Sequence, residues 1–526
     1  MANPNASSSG NAGPGLLFFW VALSLVAGAA RADPPALPEA SWDRLPAWHG
    51  FNLLEKFHLD WSNGPYKEED FRMMAAYGFN FARLPMDYRT YIKGGDWLAF
   101  DEAILAEIDQ AVAWGGEYGI HIDLNLHRIP GYTVASPAES TSLWTDPATQ
   151  AAAAAHWRMF AERYRGIPNS RLSFNLLNEP AGMLTGTQYA AVVKILADAI
   201  REEDPDRLII ADGLDFATRS VPELIPLRVA QSKHGYEPFN LTHYQADWVD
   251  GSSSWPVPYW PGNGVSTYLY GPEKPEFRSA MVIAGPFERP VSLRIRVAVV
   301  SDRARLVVSG DEATLFDRVF EPGPGEGEWE TVVYKEEWGL YQNTYNRDYL
   351  IDVPAGVSEI RIQNTEGDWL TLAQVGIREV EPDGPEAVLQ PGAGDWGSRQ
   401  DFVLTWGVDE AGPSLTAGGG DRADLWERHL QEWKDLEAQG VGVMVGEFGV
   451  YNRTPHPVVI AWLRDVLENY TIAGFGWSMW NFRGSFGPMN SDRDDVVYET
   501  VEGGLLDREM MDLLQEFAGH RENPSG

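Results

Sequence analysis

The sequence predicts an eight-stranded (β/α) barrel, a TIM barrel, with a β-sandwich inserted after its sixth strand. Short apolar runs alternate with amphipathic helical stretches along most of the chain, which is typical of parallel βαβ units. The alternation stops over residues 267–380, where β-rich runs separated by Gly and Pro clusters show no helical period. A doubly wound open sheet is the alternative, but no phosphate-binding glycine fingerprint opens any of the predicted helices.

The strand pattern divides the chain into four parts. Residues 1–32 read as a signal peptide, 33–266 as the first part of the barrel, 267–380 as the insert, and 381–526 as the second part of the barrel. The eight predicted barrel strands are 50–53, 79–85, 120–127, 172–179, 208–211, 239–244, 441–448 and 473–480. Residues 381–420 are rich in Gly and Pro, and we interpret them as a connection back to the barrel.

The N-terminus indicates export. The apolar run from Leu16 to Val26 is too short to span a bilayer, and Ala30-Arg31-Ala32 follows it as an A-x-A cleavage pattern. The sequence therefore predicts a secreted or periplasmic protein with no membrane contact after cleavage. An uncleaved anchor or a disordered tail remains the alternative, because the leader has no Lys or Arg before the apolar run.

The net charge and the cysteine and histidine content limit which ligands and partners the chain can bind. The chain has 41 basic and 76 acidic residues among its 526, a formal net charge of −35, which argues against nucleic acid or an anionic membrane as a partner. It has no cysteine, which excludes disulfides, thiolate metal sites and cysteine nucleophiles. The ten histidines show no metal-ligand spacing, so we expect neither a metal nor another cofactor. The oligomeric state is left open.

Two glutamates end predicted strands that lie on opposite sides of the barrel. Catalytic groups in such barrels lie at the C-terminal ends of strands, where Glu179 ends the fourth and Glu447 the seventh. Glycoside hydrolysis requires two carboxyl groups that flank the scissile bond, one to protonate the leaving oxygen and one to attack or to activate water. The pair therefore predicts a glycosidase.

The motifs around these glutamates resemble glycoside hydrolase family 5, the cellulase-like branch of the clan A barrels. Asn178-Glu179-Pro180 and Gly446-Glu447-Phe448-Gly449 carry the resemblance, with Arg83-Leu84-Pro85 on the second strand and a segment from Leu126 to Gly131 after the third. The resemblance extends over about Trp48 to His520, without the insert. A single Asn-Glu-Pro is weak evidence, whereas several motifs in the family's order are specific.

The resemblance implies roles for seven residues. Glu179 would be the acid/base and Glu447 the nucleophile of a retaining mechanism. Arg83 would keep the nucleophile ionised, and Tyr244 would orient it through a hydrogen bond. The residues that would bind the sugar, or line its subsite, are His127, Asn178 and Trp480, and His243 is a further substrate-binding candidate.

The sixth strand departs from the family pattern of His, any residue, Tyr. Thr242-His243-Tyr244 places the histidine directly before the tyrosine, and neighbours on a strand point to opposite faces. Either Tyr244 keeps its role and Thr242 takes the histidine position, or the register differs and His243 points inward. We favour Tyr244.

Other candidates carry less weight. Asp212, Asp215 and Asp247 follow strands five and six, where loop solvation explains them equally well. Trp255, Tyr259 and Trp260 either line a sugar cleft or pack under the insert. In the insert, Trp338, Tyr341, Tyr345 and Trp369 are the candidates for exposed aromatics of a carbohydrate-binding module.

The expected function is a secreted retaining hydrolase of O-glycosidic bonds in poly- or oligosaccharides. A non-catalytic carbohydrate-binding protein and a transglycosylase that uses the same site are the alternatives. None of the residues in these motifs determines which glycan is cleaved, or whether cleavage occurs within the chain or at its end.

Overall fold

The computed structural model describes residues 36–182, 184–255, 257–262, 265–380, 385–392, 396–397, 399–400, 403–409, 412–416 and 420–519. The predicted signal peptide lies outside these residues. Within them, eight parallel strands close into a barrel, and the β-sheets of an insert follow the sixth strand, so the predicted fold is confirmed. The barrel strands are His49–Asn52, Phe81–Asp87, His121–Arg128, Leu172–Asn175, Ile209–Asp212, Ala230–Gly235, Val443–Phe448 and Gly476–Met479.

Helices pack around the barrel, and the largest apolar core of the molecule lies between the two layers. Their starts follow capping chemistry: Asp101 and Asp146 accept hydrogen bonds from backbone N–H groups of the first turn, and Thr185 forms a capping box with Gln188. Among the described residues, every helix is too short or too polar to cross a membrane. The main helices are Glu68–Ala76, Glu102–Tyr118, Pro147–Arg163, Gly186–Glu203, Gln431–Glu437, His456–Ala473 and Arg508–Phe517.

The predicted sixth strand is wrong. Residues Phe239–Thr242 form a short helix, and the sixth barrel strand is Ala230–Gly235, which pairs with Ile209–Asp212 and Val443–Phe448. This strand was missed because its side chains are mostly polar, although all six residues are buried. Gln231 forms two hydrogen bonds to the backbone of Val221, which satisfies its amide without water.

The insert is a sandwich of two sheets with its own apolar core. One sheet has the spatial order Ala313–Phe320, Ala304–Gly310, Glu359–Gly367, Met281–Ala284, Val403–Asp409, Gly412–Thr416. The other has the order Tyr334–Lys335, Leu340–Val353, Val291–Ser301, Trp369–Glu379, Ala387–Leu389, with Tyr268–Tyr270 also paired to Trp369–Glu379.

The predicted end of the insert at Val380 is therefore too early. Ala387–Leu389 adds to one sheet, and Val403–Asp409 and Gly412–Thr416 complete the other, so the segment that we interpreted as a connection belongs to the sandwich. Its Gly and Pro residues separate strands that are too short for their alternation to stand out. The chain leaves and re-enters the barrel at one point, where the backbone N–H of Gly262 donates to the carbonyl oxygen of Gly420 at 2.6 Å.

Two of the four aromatic candidates in the insert are wrong. Tyr345 and Trp369 are buried, and Tyr345 belongs to the core of the sandwich. Trp338 is 58% exposed and Tyr341 is half-buried, so these two do reach the surface of the insert.

Candidate active site

The structure brings Glu179 and Glu447 together at the C-terminal mouth of the barrel. One carboxylate oxygen of each glutamate and one ring nitrogen of His234 all lie within 4.8 Å of one another. Glu447 is buried near the end of the seventh strand, whereas the side chain of Glu179 is 15% exposed just beyond the fourth. The two carboxylates therefore face one another, with one deeper in the barrel than the other.

Glu447 is held by hydrogen bonds at both oxygens. Arg83 Nη1 donates to its Oε1 at 2.5 Å, and the Tyr236 hydroxyl donates to its Oε2 at 3.0 Å. Arg83 is itself fully buried, and its guanidinium also donates to the side-chain oxygens of Asn52 and Asn178 at 3.0 and 2.9 Å. These contacts fix the orientation of the Glu447 carboxylate toward the mouth of the barrel.

Glu179 sits on a strained turn that its neighbours stabilise. Its φ is +48°, in the left-handed region that residues other than glycine rarely adopt. The backbone N–H of Glu179 donates to Asp212 Oδ2 at 3.0 Å, and its carbonyl oxygen accepts from the Tyr132 hydroxyl at 2.6 Å. Both bonds hold the turn that carries the carboxylate into the site.

His234 links the carboxylates. Its Nδ1 lies 2.8 Å from Glu179 Oε1 and 3.6 Å from Glu447 Oε2, and its Nε2 lies 3.3 Å from Asp212 Oδ2. Burial by itself lowers the pKa of His234, but the carboxylates of Glu447 and Asp212 outweigh burial and raise it to about 10. At neutral pH the site therefore holds a buried imidazolium between three carboxyl groups.

Asp212 carries a negative charge that compensates the positive charges of His234 and Arg83. Burial raises the pKa of Asp212, but His234 and Arg83 together hold it well below its usual range, so this carboxylate stays ionised. It also accepts from Asn175 Nδ2 at 2.9 Å. Loop solvation does not explain Asp212, because its side chain is fully buried at the end of the fifth strand.

Opposing effects act on the pKa of the buried Glu447 carboxyl group. Burial raises its pKa, whereas the positive charges of His234 and Arg83 oppose that rise. The net direction is upward, so this carboxylate protonates at a higher pH than an exposed glutamate. It is coupled to its neighbours, and its titration belongs to the cluster rather than to one residue.

His127, Asn178 and Trp480 form the adjacent wall. The rings of His127 and Trp480 are stacked with centroids 5.5 Å apart, and His127 Nε2 lies 3.4 Å from the amide nitrogen of Asn178. Burial, together with Arg83 and His234, holds the pKa of His127 far below its usual range, so the ring is neutral. Its buried Nδ1 has no hydrogen-bond partner among the described residues, 4.0 Å from Glu447 Oε1.

Tyr244 does not hold the position that the resemblance implied for it, and His243 does not hold the alternative position. His243 stacks on Phe239 at 4.1 Å after the short helix, and the Tyr244 hydroxyl accepts from Gln245. Thr242 also lies on that helix, so it does not take the histidine position either.

His234 and Tyr236 occupy the site at the end of the true sixth strand. The sequence did contain their signal, because His234-Gly235-Tyr236 has the family spacing of His, any residue, Tyr. The run before it, Gln231-Ser232-Lys233, is polar, so the hydrophobic pattern of a buried strand is weak there.

The remaining candidates lie outside the cleft. Asp215 forms an exposed ion pair with Arg219, and Asp247 is exposed. The Tyr259 hydroxyl donates to the Gln390 carbonyl oxygen of the insert, and Trp260 Nε1 donates to Asp465 on an outer helix. Both contacts favour packing over a sugar cleft for these two aromatics. Trp255 is half-buried beside Phe239, with ring centroids 6.1 Å apart.

The cluster is a poor cation site at neutral pH. A metal requires a neutral imidazole nitrogen, but the pKa of His234 is raised to about 10, so this ring is protonated. Arg83 already donates to Glu447, and a cation would have to compete with its fixed charge.

Comparisons with known proteins find similarity to glycosyl hydrolases. Residues 43–257 match the model of the family described as Cellulase (glycosyl hydrolase family 5). Endoglucanase C of Acetivibrio thermocellus is 28% identical over 209 residues, which are 39% of this chain and 59% of the relative. Endoglucanase 3 of Fibrobacter succinogenes is 27% identical over 224 residues, 40% of this chain and 33% of the relative. The chain thus spans about three-fifths, or less, of the length of these relatives.

A solved structure extends the likeness over most of the chain. A crystal structure described as that of a glycoside hydrolase is 26% identical, with a TM-score of 0.57, and the match covers 90% of this chain and 99% of the other. The matched family model spans the first six barrel strands with Glu179, His234 and Tyr236. Over residues 43–257, the barrel of this chain is therefore similar to glycosyl hydrolase family 5.

Proposed function

We propose that this protein is a retaining glycoside hydrolase that cleaves O-glycosidic bonds in poly- or oligosaccharides by double displacement. One observation carries the proposal: carboxylate oxygens of Glu179 and Glu447 lie within 4.8 Å of each other across the barrel mouth. Retaining glycosidases place their carboxyl groups roughly 5–5.5 Å apart, whereas inverting enzymes leave about 6.5–9.5 Å for a water molecule. The names of the endoglucanase relatives favour a β-glucan as substrate.

In the first step Glu447 attacks the anomeric carbon while Glu179 donates its proton to the departing glycosidic oxygen. The C–O bond to the leaving sugar breaks as an ester bond to Glu447 forms. Arg83 and Tyr236 aim the attacking carboxylate and disperse its charge until the bond forms. The leaving sugar departs with the proton from Glu179.

In the second step a water molecule replaces the leaving sugar. Glu179, now ionised, takes a proton from this water as its oxygen attacks the anomeric carbon, and the ester bond to Glu447 breaks. The protonated His234 lies beside Glu179 Oε1 at 2.8 Å, so it stabilises the negative charge on Glu179 between the two steps. The product keeps the anomeric configuration of the substrate.

The neighbouring wall supports a sugar as the substrate. Trp480 offers an aromatic face at the mouth, and the unpaired Nδ1 of His127 is available for a sugar hydroxyl.

Because the pKa of Glu447 is raised by burial, we expect activity to fall as the pH drops through that raised value, above the ordinary pKa of 4.5. The proposal also includes export, on the strength of the predicted leader.

The test compares wild-type protein with Glu447→Gln and Glu179→Ala on aryl β-cellobiosides and on β-glucans. Glu447→Gln should lose about 10⁴-fold or more in kcat, because the nucleophile is gone. Glu179→Ala should lose about 10²- to 10⁴-fold on poor leaving groups, much less on good ones, and should regain rate with azide. Glu202→Gln, on the outer face of Gly186–Glu203, serves as the matched control.

Product analysis separates the alternatives. Proton NMR of the first product should show the β anomer before mutarotation. An initial α anomer would rule out retention, and absence of reducing ends from every glycan would favour a non-catalytic binding protein. Sugar transfer to added acceptors in preference to water would favour the transglycosylase.

A further inference from the structure

The insert is attached to the loop that follows the sixth barrel strand, on the face where the candidate active site opens. Asn240 Nδ2 donates to the Gly392 carbonyl oxygen, and the Tyr259 hydroxyl donates to the Gln390 carbonyl oxygen at 3.0 Å. A third contact comes from the opposite edge of the sheet that contains Ala387–Leu389, where Lys335 Nζ lies 3.9 Å from Asp250 Oδ2. The insert is thus held against this loop at separate points.

Trp248, on the same loop, is an exposed aromatic that is held in place from below. It is 56% exposed, although its ring packs edge-on against Tyr451 at 4.7 Å and lies 6.2 Å from Phe486. Phe486 in turn lies 6.3 Å from Tyr236, which donates to Glu447. A series of ring contacts therefore connects the exposed face of Trp248 to the catalytic pair.

The hairpin of the insert that Lys335 anchors presents further aromatics. Its strands are Tyr334–Lys335 and the start of Leu340–Val353, and its tip carries Trp338. Trp338 is 58% exposed and Tyr334 is 51% exposed. The Trp338 backbone N–H donates to the Lys335 carbonyl oxygen at 3.2 Å, so the tip is an ordered turn.

We propose that Trp248, Tyr334 and Trp338 form a distal binding platform for a neutral polysaccharide chain that runs out of the catalytic cleft. The proposal rests on the proposed function, since the chain in the cleft and the chain on the platform are one substrate. Its substrate class is an uncharged glucan long enough to reach from the barrel mouth to the insert.

Three observations favour a neutral sugar chain as the occupant. The three rings are flat and solvent-exposed, ring contacts connect Trp248 to the site, and aromatic faces stack on the apolar faces of sugar rings. Glu336 and Glu337 are exposed and precede Trp338 in the same turn. Their carboxylates can accept hydrogen bonds from the hydroxyl groups of a sugar chain that stacks on Trp338. The net charge of −35 repels polyanions, which disfavours uronic acid polymers.

The experiment measures binding apart from turnover. In a Glu447→Gln background, affinity electrophoresis in gels that contain hydroxyethyl cellulose, a neutral soluble β-1,4-glucan, gives the dissociation constant. Trp248→Ala, Tyr334→Ala and Trp338→Ala should each weaken binding about 3- to 10-fold, the range expected for loss of one aromatic contact. Trp338→Phe should restore much of the affinity.

Trp396→Ala is the matched control, because Trp396 is also 53% exposed but packs with Tyr268 and Trp369 elsewhere on the insert. It should bind like the Glu447→Gln parent. In the otherwise wild-type protein, the Trp338→Ala change should lower the ratio of kcat/KM on the polymer to kcat/KM on an aryl cellobioside by the same factor.

Several outcomes would overturn the platform. Equal binding by the parent and the three variants would do so, as would no retardation of the parent at all. Equal retardation by carboxymethyl cellulose would refute the preference for a neutral chain. A change in oligomeric state on Trp338→Ala, without a change in glucan binding, would assign the surface to protein contact. Loss of hydrolysis in the wild type with binding intact would instead contradict the proposed function alone.

Discussion

Asp212 influences the candidate acid/base, Glu179, through the Glu179 backbone and through His234 rather than through the Glu179 carboxyl group. Its carboxylate accepts from the Glu179 backbone N–H and lies 3.3 Å from His234 Nε2 and 3.6 Å from Arg83 Nη2. It thereby stabilises the turn that carries Glu179, and it keeps His234 protonated. We interpret Asp212 as a positioning residue whose effect on turnover passes through Glu179 and His234.

Replacing Asp212 with Asn should lower kcat about 10- to 100-fold, the range expected for loss of a hydrogen-bond acceptor with full charge. It should also lower the pKa of His234 from about 10, because one of the carboxylates that stabilises the imidazolium is gone. Imidazole NMR of ¹⁵N-histidine-labelled protein measures this pKa. Asp215→Asn, at an exposed ion pair, is the control. An unchanged His234 titration would show that Asp212 has only a structural role.

The ion pair between His234 and Asp212 makes the stability of the folded protein depend on pH in a defined window. The folded pKa of His234 is raised above its ordinary value of 6.5, so its contribution to stability is fully present below pH 6.5 and disappears as the pH rises through about 10. The difference in Tm between wild type and Asp212→Asn should therefore shrink across that window. Thermal melts at pH 6 and pH 10 measure it, and a constant difference would argue against a charged His234.

Tyr236, not Tyr244, should be the tyrosine that matters for turnover. Tyr236→Phe removes the hydrogen bond to Glu447 Oε2, which should cost about 10- to 100-fold in kcat because the acceptor is charged. Tyr244→Phe should have little effect, because the hydroxyl of Tyr244 contacts Gln245. Steady-state kinetics on an aryl glycoside checks both, and the reverse order of effects would restore the original prediction.

At the scale of elements, the insert and the barrel have separate cores. The apolar cluster of the sandwich shares no member with that of the barrel among the described residues, and Gly262 and Gly420 are hydrogen-bonded where the chain enters and leaves. A segment whose ends meet can be removed at a small entropic cost of closing the gap. The true limits of the insert decide whether such a removal succeeds.

Deleting residues 263–419 and joining the ends with a short Gly-Ser bridge should leave a barrel that unfolds cooperatively. We expect a loss of about 1–3 kcal/mol in the free energy of unfolding, because the hydrogen bonds of Asn240 and Tyr259 to the insert disappear. Circular dichroism melts provide the measurement. Deleting residues 267–380 alone is the contrasting variant, and it should aggregate because Val403–Asp409 loses its partner Met281–Ala284. Equal behaviour of the two deletions would contradict the revised boundary.

At the scale of the molecule, charge is strongly unbalanced. The formal net charge of −35 destabilises the compact state through self-repulsion, which salt screens. The Debye length falls from about 10 Å at 0.1 M salt to about 3 Å at 1 M. The buried ion pairs of the site are much less affected, since they are shielded from the solvent.

The Tm at neutral pH should therefore rise with NaCl between 0.1 and 1 M, by roughly 1–2 °C for each kcal/mol of repulsion removed. Differential scanning calorimetry gives the shift. Near the isoelectric point the same salt series should have little effect, because the net repulsion is absent there. A Tm that falls with salt at neutral pH would show that attractive surface ion pairs outweigh the repulsion.

The sequence by itself determined the barrel, the insertion after its sixth strand, and the placement of Glu447 at the end of a strand and of Glu179 shortly after one. These features are legible because apolar strands and amphipathic helices repeat with different periods, and because a charged residue stands out at the end of an apolar run. Seven of the eight predicted barrel strands overlap those of the described chain for this reason.

Tertiary structure alone decided the sixth strand, the end of the insert and the role of Asp212. Ala230–Gly235 is buried through hydrogen bonds and ion pairs rather than through apolar side chains, so its burial leaves no hydrophobic period in the sequence. Asp212 looks like any loop aspartate until the barrel closes and brings His234, Arg83 and the Glu179 backbone around it. Its pKa and its role come from partners distant in the chain, and a local pattern does not record them.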